Sequence, residues 1–502
     1  MWYYFVMGEK TTKADNNLQK VLITTSIAYV NSDPHIGFAL ELVQADSRAR
    51  ALRAQSAEVF FLTGTDENGL KNYKTANELK LTPQDFVDKN ATQFLKLSQE
   101  IEISNDNFIR TSNANHHRIA QEFWQKLVKA GDIYPQEYEG LYCVGCESFV
   151  LERDLVNGKC RVHQKEPEKI KEVNYFFQLK KYQDKIYNLV KSDQVKITPP
   201  ERKAELLNII KDAEDISFSR LAEKLPWGVA VPEARKLQIS RNINQTNSNF
   251  QIQKTHNKIE NSQTMYVWCD ALVNYISGLP GENIDEKIEF WQAQEKIIHF
   301  VGKDILRFHG LIWLGMLLSA GLKLPSEIRV HGFITKDGQK ISKSLGNTVD
   351  PFEYIKKFGA DAVRFYLLHE IPEFGDGDWS KERFAEVYSS FLANELGNLV
   401  QRSITLIGKF QFPRNNFQTN PNSKIQKTPT LSQVWFWVRR LNAQISTEKL
   451  WESTTPKHKI EKLAQDIFSI ANSLAIYLPH TAKEIQAQLS SFKPTPIFPR
   501  IK

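Results

Sequence analysis

The chain has few cysteines and no long hydrophobic run. Four cysteines among 502 residues are too few for a disulfide scaffold. The most apolar run, at 311–320, is too short to cross a bilayer. Residues 1–17 lack arginine and contain Glu9 and Asp15, so they fit neither a secretory signal nor a transit peptide. We therefore expect a cytoplasmic protein with no transmembrane helix and no membrane partner.

The length and composition indicate a folded protein of several domains. A chain of 502 residues is too long to fold around one compact core. Hydrophobic residues make up 41% and charged residues 25%, as in ordinary globular proteins. The 65 Lys and Arg outnumber the 58 Asp and Glu. This mild basic excess permits a polyanionic partner without requiring one.

The order of apolar segments predicts a parallel α/β sheet that is split by an insertion. A strand at Val21–Thr25 leads into a helical pattern, and a second strand ends at Asp66. Strand, helix and strand follow again within 296–334. The intervening segment contains helical patterns at 176–191 and 200–212 and a polar tract at 240–263, which we interpret as a surface loop. The pattern is mainly helical from residue 381 onwards.

Residues 31–38, NSDPHIGF, join the first strand to the first helix. A strand followed by a glycine turn and a helix presents unpaired backbone N–H groups to an anion. His35 could donate a hydrogen bond to phosphate, and Gly37 lets a nucleotide approach the backbone. The alternative is a histidine that only packs at a turn.

A second glycine-flanked segment, KDGQKISKSLGN at 336–347, is rich in cations and hydroxyls. It contains Lys340, Ser342, Lys343 and Ser344, and it follows a predicted strand. A mobile cationic loop of this kind can close over a triphosphate. The alternative is a solvated basic loop.

Three of the four cysteines are clustered. Cys143 and Cys146 form a CxxC pair, and Cys160 and His163 form a CxxH pair. Two such pairs can bind one tetrahedral Zn²⁺ in a closed, structural site. The alternative is a set of buried thiols with an incidental histidine. Cys269 lies outside the cluster, and we expect it to be a small core residue.

Together these motifs resemble a known family. PHIG and KISKS are similar to the HIGH and KMSKS signatures of class I aminoacyl-tRNA synthetases, in the same order. GTDENG, GLYCVGCESF, YVWCDALVNY, VGKDILRFHGLIWLGML and LGNLVQR resemble segments of methionyl-tRNA synthetases. The resemblance covers nearly all of residues 20–490. It implies activation of methionine to methionyl-adenylate with ATP, followed by transfer to the 3′ end of methionine tRNA.

The resemblance also implies roles for individual residues. The methionine pocket would be formed by Ile27, Tyr29, Asp66, Trp268, Ala271, Leu272, Tyr275, Ile305, Phe308 and His309, with Asp66 binding the ammonium group. ATP would be bound by His35, Gly37, Asp304, Lys340, Ser342, Lys343 and Ser344, and His35, Lys340 and Lys343 would be catalytic. From spacing alone, Trp268 and Tyr275 could equally be core residues, and Asp304 could be a helix cap.

The C-terminal helices would read the anticodon. Asn394, Asn398 and Arg402 lie four residues apart and share one helix face, where they could contact unstacked bases. By resemblance, Asn398 and Arg402 match anticodon-reading positions, and Trp451 matches a tryptophan that stacks on an anticodon base. The alternative is a solvated face and a core tryptophan.

The implied architecture is a Rossmann-like parallel α/β sheet, split by a zinc-bearing connective insertion and followed by an all-α anticodon-binding bundle. The predicted domains are a flexible extension at 1–20, the first half of the catalytic domain at 21–135, the connective insertion with the zinc knuckle at 136–262, the second catalytic half at 263–335, the KMSKS-type loop and stem-contact region at 336–380, and the anticodon-binding domain at 381–502. The implied ligands are L-methionine, ATP with Mg²⁺, one structural Zn²⁺, and initiator and elongator methionine tRNA. We expect a monomer.

Two positions depart from the HIGH and GTDEHG motifs of the family. Phe38 replaces the second signature histidine, and Asn68 replaces the histidine of GTDEHG. Phe38 motivates one alternative, a catalytically weakened paralogue that binds tRNA, although retention of Lys340 and Lys343 favours an active enzyme. A synthetase for cysteine or leucine is a further alternative. A zinc cluster distant from the pocket disfavours the first, and the lack of a large editing insertion disfavours the second.

Overall fold

The computed structural model describes residues 18–143, 148–150, 152, 155–161, 164–232, 262–336, 338–341, 346–410 and 428–500. The strands are β1 (Lys20–Thr25), β2 (Ala28–Tyr29), β3 (Glu58–Asp66), β4 (Asn107–Arg110), β5 (Ile133–Cys143), β6 (Ser148–Val150), β7 (Leu155–Val156), β8 (Lys159–Cys160), β9 (Glu168–Phe177), β10 (Lys196–Thr198), β11 (Ile216–Ser217), β12 (Ser219–Leu221), β13 (Gln263–Met265), β14 (Lys296–Gly302), β15 (Glu327–His331), β16 (Ile334–Lys336), β17 (Gln339–Lys340) and β18 (Gly377–Asp378).

The α-helices are α1 (Ile36–Ala54), α2 (Leu70–Glu78), α3 (Pro83–Glu100), α4 (Ala114–Lys129), α5 (Gln183–Lys191), α6 (Pro200–Lys211), α7 (Val267–Leu272), α8 (Asn274–Ser277), α9 (Ile284–Ala293), α10 (Leu314–Ser319), α11 (Pro351–Phe358), α12 (Ala360–His369), α13 (Lys381–Val387), α14 (Asn398–Lys409), α15 (Leu431–Thr447), α16 (Lys457–Leu474) and α17 (Pro479–Ser491). A π-helical segment, Phe308–Trp313, leads into α10, and a second one, Tyr388–Gly397, joins α13 to α14.

The central sheet joins two distant parts of the chain. Its strand order is β10-β15-β14-β1-β3-β2, with β4 also paired to β3, and the pairings are parallel. In β1, Thr24 lies opposite His299 of β14 on one side and Leu62 of β3 on the other. Residues 21–25 of β1 are buried, as expected for a strand covered on both faces. The predicted split sheet is therefore confirmed.

The helix boundaries follow from local sequence chemistry. The Asp350 side chain accepts the Phe352 N–H, and Pro351 occupies the first turn of α11, where the missing N–H is no loss. These features fix the start of α11. The helix predicted within 296–334 is confirmed, although part of it is π-helical, and it ends before Gly321, whose φ is +69°.

The insertion contains an antiparallel sheet, of order β11-β9-β5-β6, rather than an early helix. β5 pairs with β9 from Ile133 opposite Phe177 to Tyr142 opposite Glu168. The helical pattern predicted from residue 176 was wrong at its start, because β9 continues to Phe177. A 3₁₀ turn at Leu179–Tyr182 comes before α5 begins at Gln183. Long-range strand pairing outweighs the local helical pattern here. β1 likewise begins at Lys20, within the extension predicted at 1–20.

A buried arginine connects the catalytic part of the chain to the C-terminal helices. The guanidinium of Arg364, in α12, donates to the Tyr477 carbonyl (2.7 Å), to the Ile101 carbonyl (3.0 Å) and to the Asp46 carboxylate of α1 (2.7 Å). The side chains of Arg364 and Asp46 are both fully buried. Because a buried charge needs several partners, this network fixes α1, α3 and the α16–α17 turn against α12.

None of the helices that the structure describes combines the length and the apolarity needed to cross a membrane.

Candidate active site

One open cavity lies where the central strands end. Parallel strands present their carboxyl ends at the same edge of a sheet, and the turns after β1, β3, β14 and β15 meet there. The cavity has a volume of about 430 Å³. The predicted residues that line it are Ile27, Tyr29, His35, Gly37, Asp66, Trp268, Ala271, Leu272, Tyr275, Asp304, Ile305 and His309. The fold thus gathers most of the predicted methionine and ATP residues from both halves of the split sheet.

His35 and Gly37 form the start of α1. His35 is the N-cap, and its Nδ1 accepts the Gly37 N–H at 3.0 Å. In the neutral imidazole the proton must then lie on Nε2, which leaves Nε2 as a donor suited to an anion. A Cβ on Gly37 would lie 2.8 Å from Cε1 and 3.0 Å from Nδ1 of His35. Glycine is required here because any side chain would displace the histidine ring.

The opposite end of the cavity is apolar and aromatic. Trp268 lines the cavity and stacks on Phe308, with ring centroids 3.5 Å apart and an angle of 6° between the planes. Phe308 therefore contacts the wall through Trp268, and its place in the methionine pocket stays a prediction. Asp66, at the end of β3, is almost fully buried and also lines the cavity. A buried carboxylate beside an apolar wall suits a ligand with an ammonium group and an unbranched apolar chain.

The tautomer of His309 is set by its neighbours. Its Nδ1 lies 3.0 Å from the Ile305 carbonyl, which can only accept, so Nδ1 carries the proton. Nε2 therefore accepts the hydroxyl proton of Tyr275 at 2.7 Å. Burial lowers the pKa of His309 to about 4, and burial also raises the pKa of Tyr275 well above its usual value. Both side chains are neutral at physiological pH, and their orientation in the pocket is fixed.

A second buried histidine lies beneath this pair. His299 of β14 accepts the indole N–H of Trp313 at Nε2 (3.2 Å), so its Nδ1 donates to Thr24 Oγ1 (2.6 Å). The rings of His299 and Tyr275 are 4.5 Å apart. Burial lowers the pKa of His299 well below its usual value. This layer holds the floor of the aromatic pocket without adding charge.

Sequence reasoning missed polar residues of the cavity wall, among them Ser26, Glu41, Lys71, Asn274 and His331. Glu41 and His331 are both nearly buried and lie 2.8 Å apart. One signal was available for Glu41, because it is an isolated charge in the apolar run IGFALELV of α1. His331 had no comparable signal, since its partner is distant in the sequence.

The KMSKS-like segment is only partly within the described residues. The backbone of Lys340 pairs with Thr335 in a short hairpin, and Ile341 lines the cavity. Ser342, Lys343 and Ser344 lie outside the described residues, as does the side chain of Lys340. The segment therefore leads to the edge of the cavity where α1 begins.

The cysteine cluster is also only partly described. Cys143 ends β5, Cys160 lies in β8, and both side chains are buried. Cys146 and His163 fall outside the described residues. Among the residues that are described, no group of three or more His, Cys, Asp or Glu side chains is arranged to hold a metal ion. Cys269 is buried in the core, as predicted, and burial raises the pKa of its thiol.

A separate cavity of about 460 Å³ lies between α14 and α15. Asn398, Arg402 and Trp451 all line it, together with Gln401, Thr405 and Lys409. Arg402 donates to Ser446 Oγ at 3.1 Å, and the Trp451 side chain is 52% exposed. The three residues predicted to read an anticodon are thus brought together at one surface depression, and Trp451 is not a core residue.

Comparisons with known proteins agree with this geometry. The family model for class I (M) tRNA synthetases matches residues 21–155 and 150–404. The chain belongs to the methionyl-tRNA synthetase family. The methionine–tRNA ligase of Thermosynechococcus vestitus is 42% identical over 77% of this chain and 69% of the relative. That of Caldanaerobacter subterraneus is 36% identical over 93% of this chain and 73% of the relative.

A solved structure of the methionyl-tRNA synthetase family shares this fold. The methionyl-tRNA synthetase of Mycobacterium tuberculosis, solved in complex with methionyl-adenylate, superposes with a TM-score of 0.79 at 29% identity. The match covers 97% of this chain and 99% of that structure. As a member of this family the chain is a methionine–tRNA ligase, an ATP-dependent aminoacyl-tRNA synthetase.

The two departures from the family motifs have different structural consequences. The amide of Asn68 donates to the Asp270 carboxylate (2.6 Å) and to the Thr111 carbonyl (3.1 Å), so this residue links the segment after β3 to α7 and to the segment after β4. Phe38 packs edge-on against Phe94, with ring centroids 5.1 Å apart. Phe38 supplies an apolar face to the cavity where the family signature has a hydrogen-bonding imidazole.

Proposed function

We propose that this chain activates methionine in the described cavity, using one end for the amino acid and the other for ATP. The observation that carries this proposal is the meeting of an aromatic pocket and the N-terminus of α1 in one cavity. The pocket supplies shape and sulfur contacts for a thioether. The helix N-terminus supplies N–H groups and a positive dipole end for phosphate.

The methionine end combines one carboxylate with an apolar wall. Asp66 binds the ammonium group, and Ile27, Tyr29, Trp268, Ala271, Leu272, Ile305 and the Tyr275–His309 pair surround the side chain. Tyr275 donates to His309, so the polar ends of these two side chains are bonded to each other rather than to the ligand. A shorter or branched amino acid would leave part of this volume empty.

The ATP end is assigned to His35, Gly37 and Asp304 with the KMSKS-like loop, including Lys340, Ser342, Lys343 and Ser344. ATP brings Mg²⁺, which offsets phosphate charge. An oxygen of the methionine carboxylate attacks the α-phosphorus of ATP. The bond between that phosphorus and the pyrophosphate oxygen breaks, and methionyl-adenylate forms. The terminal ribose hydroxyl of tRNA then attacks the methionyl carbonyl carbon, and AMP leaves. His35 Nε2 and the lysines stabilise phosphate charge, so catalysis consists mainly of positioning and electrostatics.

The cavity between α14 and α15 is assigned to the anticodon of methionine tRNA, initiator and elongator. An exposed indole offers a stacking surface to an unpaired base, and Asn398 and Arg402 offer donors to base edges. The catalytic and anticodon sites are formed by separate segments. Loss of anticodon binding should therefore leave methionine activation intact, and loss of activation should leave anticodon binding intact.

One structural Zn²⁺ is proposed at Cys143, Cys146, Cys160 and His163. Cys143 and Cys160 fit this role because both thiols are buried, one at the end of β5 and the other at the end of β8. When bound, the ion would tie these strands together as a cross-link and take no part in the reaction. The test is elemental analysis of the purified protein, with an expected content of one zinc per chain and its loss in Cys143→Ser. Protein that contains no zinc after purification without chelators would contradict the assignment.

Pyrophosphate exchange into ATP, run with each of the twenty amino acids, tests the proposed activation step. Exchange with methionine alone is the expected result. The second candidate function, a weakened paralogue that binds tRNA, is favoured by Phe38, and it predicts tight tRNA binding without exchange. The cytoplasmic location and the monomeric state stay predictions. One relative, from Arabidopsis thaliana, is chloroplastic/mitochondrial.

A further inference from the structure

A buried acid–base pair lies in the wall of the catalytic cavity. His331 Nε2 is 2.8 Å from Glu41 Oε2, and the two side chains are 10% and 6% exposed. The other Glu41 oxygen, Oε1, accepts the Ser26 hydroxyl at 2.6 Å. His331 Nδ1 is 2.8 Å from the Gly332 carbonyl. Each of these four polar atoms therefore has a partner.

The positions of the protons in this pair follow from its partners. The Gly332 carbonyl can only accept, so His331 Nδ1 carries a proton. With Glu41 ionised, Nε2 must donate as well, and the ring is an imidazolium. Burial alone would lower the pKa of His331, but the bond and charge of Glu41, the Gly332 carbonyl and the charge of Asp304 together raise it above its usual value.

The pair connects the two signature segments of the enzyme. Glu41 lies in α1, one turn after Gly37, whereas His331 is the last residue of β15, directly before the hairpin that leads into the KMSKS-like loop. A second connection lies beyond that loop, because the Ile36 N–H donates to the Val349 carbonyl at 3.1 Å. Both ends of the segment from 332 to 348 are thus bonded to α1.

We propose that His331 is a positioning residue for adenylate formation, acting by bonding Glu41 so that the start of the KMSKS-like segment stays fixed against α1. This inference rests on the proposed ATP end of the cavity. Loss of the bond should affect the use of ATP more than the binding of methionine. The reason is that the bond joins α1 to the start of the KMSKS-like segment, and both segments are assigned to the phosphates. Methionine affinity should change little when the bond is lost, whereas productive use of ATP should fall.

The proposal also predicts a dependence on pH. The ionisable groups around His331 are Glu41 from α1, Asp304 from the turn after β14, and Tyr275, which lies near Glu41. A histidine whose pKa is raised in the folded protein keeps its bond at low pH and loses it as the pH rises through the folded pKa. Activity that depends on the bond should therefore decline on the alkaline side of the usual histidine range.

The test compares His331→Ala and His331→Gln with the wild-type chain in methionine-dependent pyrophosphate exchange, over a series of pH values. His331→Ala should lower kcat/KM for ATP by about tenfold to a hundredfold, the range for loss of a hydrogen bond to a charged group. The dissociation constant for methionine should stay within about twofold. The glutamine amide can donate to Glu41 without titrating, so His331→Gln should retain more activity and lose the alkaline decline.

His369→Gln is the matched control, because His369 forms a similar pair with Glu370 (2.7 Å) on α12 and does not line the cavity. It should lower stability without changing the KM for ATP or the pH profile. The proposal is overturned if His331→Ala matches this control, or if the alkaline decline persists unchanged in His331→Gln. A wild-type chain without methionine exchange would instead overturn the proposed function.

Discussion

Replacing Gly37 with alanine should separate catalysis from stability. The new Cβ would lie 2.8 Å from Cε1 of His35, closer than side-chain carbons come in folded proteins, so the ring must move by several tenths of an ångström. That movement breaks the bond between His35 Nδ1 and the Gly37 N–H, which costs about 1 kcal/mol as an N-cap. The higher helix propensity of alanine stabilises the folded state by up to about 1 kcal/mol and so offsets this loss.

The expected change in unfolding free energy is therefore close to zero, whereas the rate should fall strongly. His35 Nε2 would no longer point at the developing phosphate charge, and losing one such donor typically costs about 2.7 to 4 kcal/mol, or a hundredfold to a thousandfold in kcat. The measurements are methionine-dependent pyrophosphate exchange, methionine binding by equilibrium dialysis, and urea unfolding. Methionine binding should remain within about twofold, since Gly37 lies at the ATP end.

Gly408→Ala provides the matched control. Gly408 is also helical, in α14, and its added Cβ would meet Phe492 at 3.4 Å, an ordinary contact distance. This variant should exchange pyrophosphate at the wild-type rate. If Gly37→Ala also exchanges within twofold of the wild type, the histidine does not act through the geometry described. If it loses activity only together with stability, the effect is a folding defect.

Three further predictions test other parts of the molecule. Tyr275→Phe removes the hydroxyl that donates to His309, so a buried nitrogen loses its partner; urea unfolding should show a loss of about 1 to 3 kcal/mol, and an unchanged free energy would contradict the bond. Arg364→Met leaves the Asp46 carboxylate buried with Arg50 as its nearest cation, and unfolding measurements should show a loss of about 3 to 5 kcal/mol, against little change for the more exposed Arg383→Met. Trp451→Ala should weaken tRNA aminoacylation by about 1 to 3 kcal/mol while pyrophosphate exchange is unchanged; a parallel loss of both would place the residue in the fold and not in base stacking.

Much of the fold follows from local patterns in the sequence. Buried strands, a glycine turn and helical segments were predictable because each depends on neighbouring residues. The start of α5 was not, because the pairing of Phe177 with Ile133 keeps that segment extended. Only the three-dimensional arrangement shows that Phe308 stacks on Trp268.

The candidate site was predictable where a family motif names the residue and unpredictable where two distant residues form a pair. His35 and Gly37 lie two positions apart in one motif, and the structure explains their spacing through a steric contact. Glu41 and His331 are separated by 290 positions, so nothing local indicates that one neutralises the other. An ionisable pair between two distant segments, such as this one, is therefore not predictable from local sequence patterns.

The central place of β1 has a consequence for how the chain is made. β1 hydrogen-bonds to β3, which follows soon after it, and to β14, which begins at Lys296. During synthesis from the N-terminus, one edge of this apolar strand stays without its partner until more than half of the protein has emerged. An exposed apolar edge of this kind favours pairing with other chains. We expect nascent chains that stop before residue 302 to aggregate or to need a chaperone, whereas chains extended past His331 can complete the sheet and the catalytic cavity together.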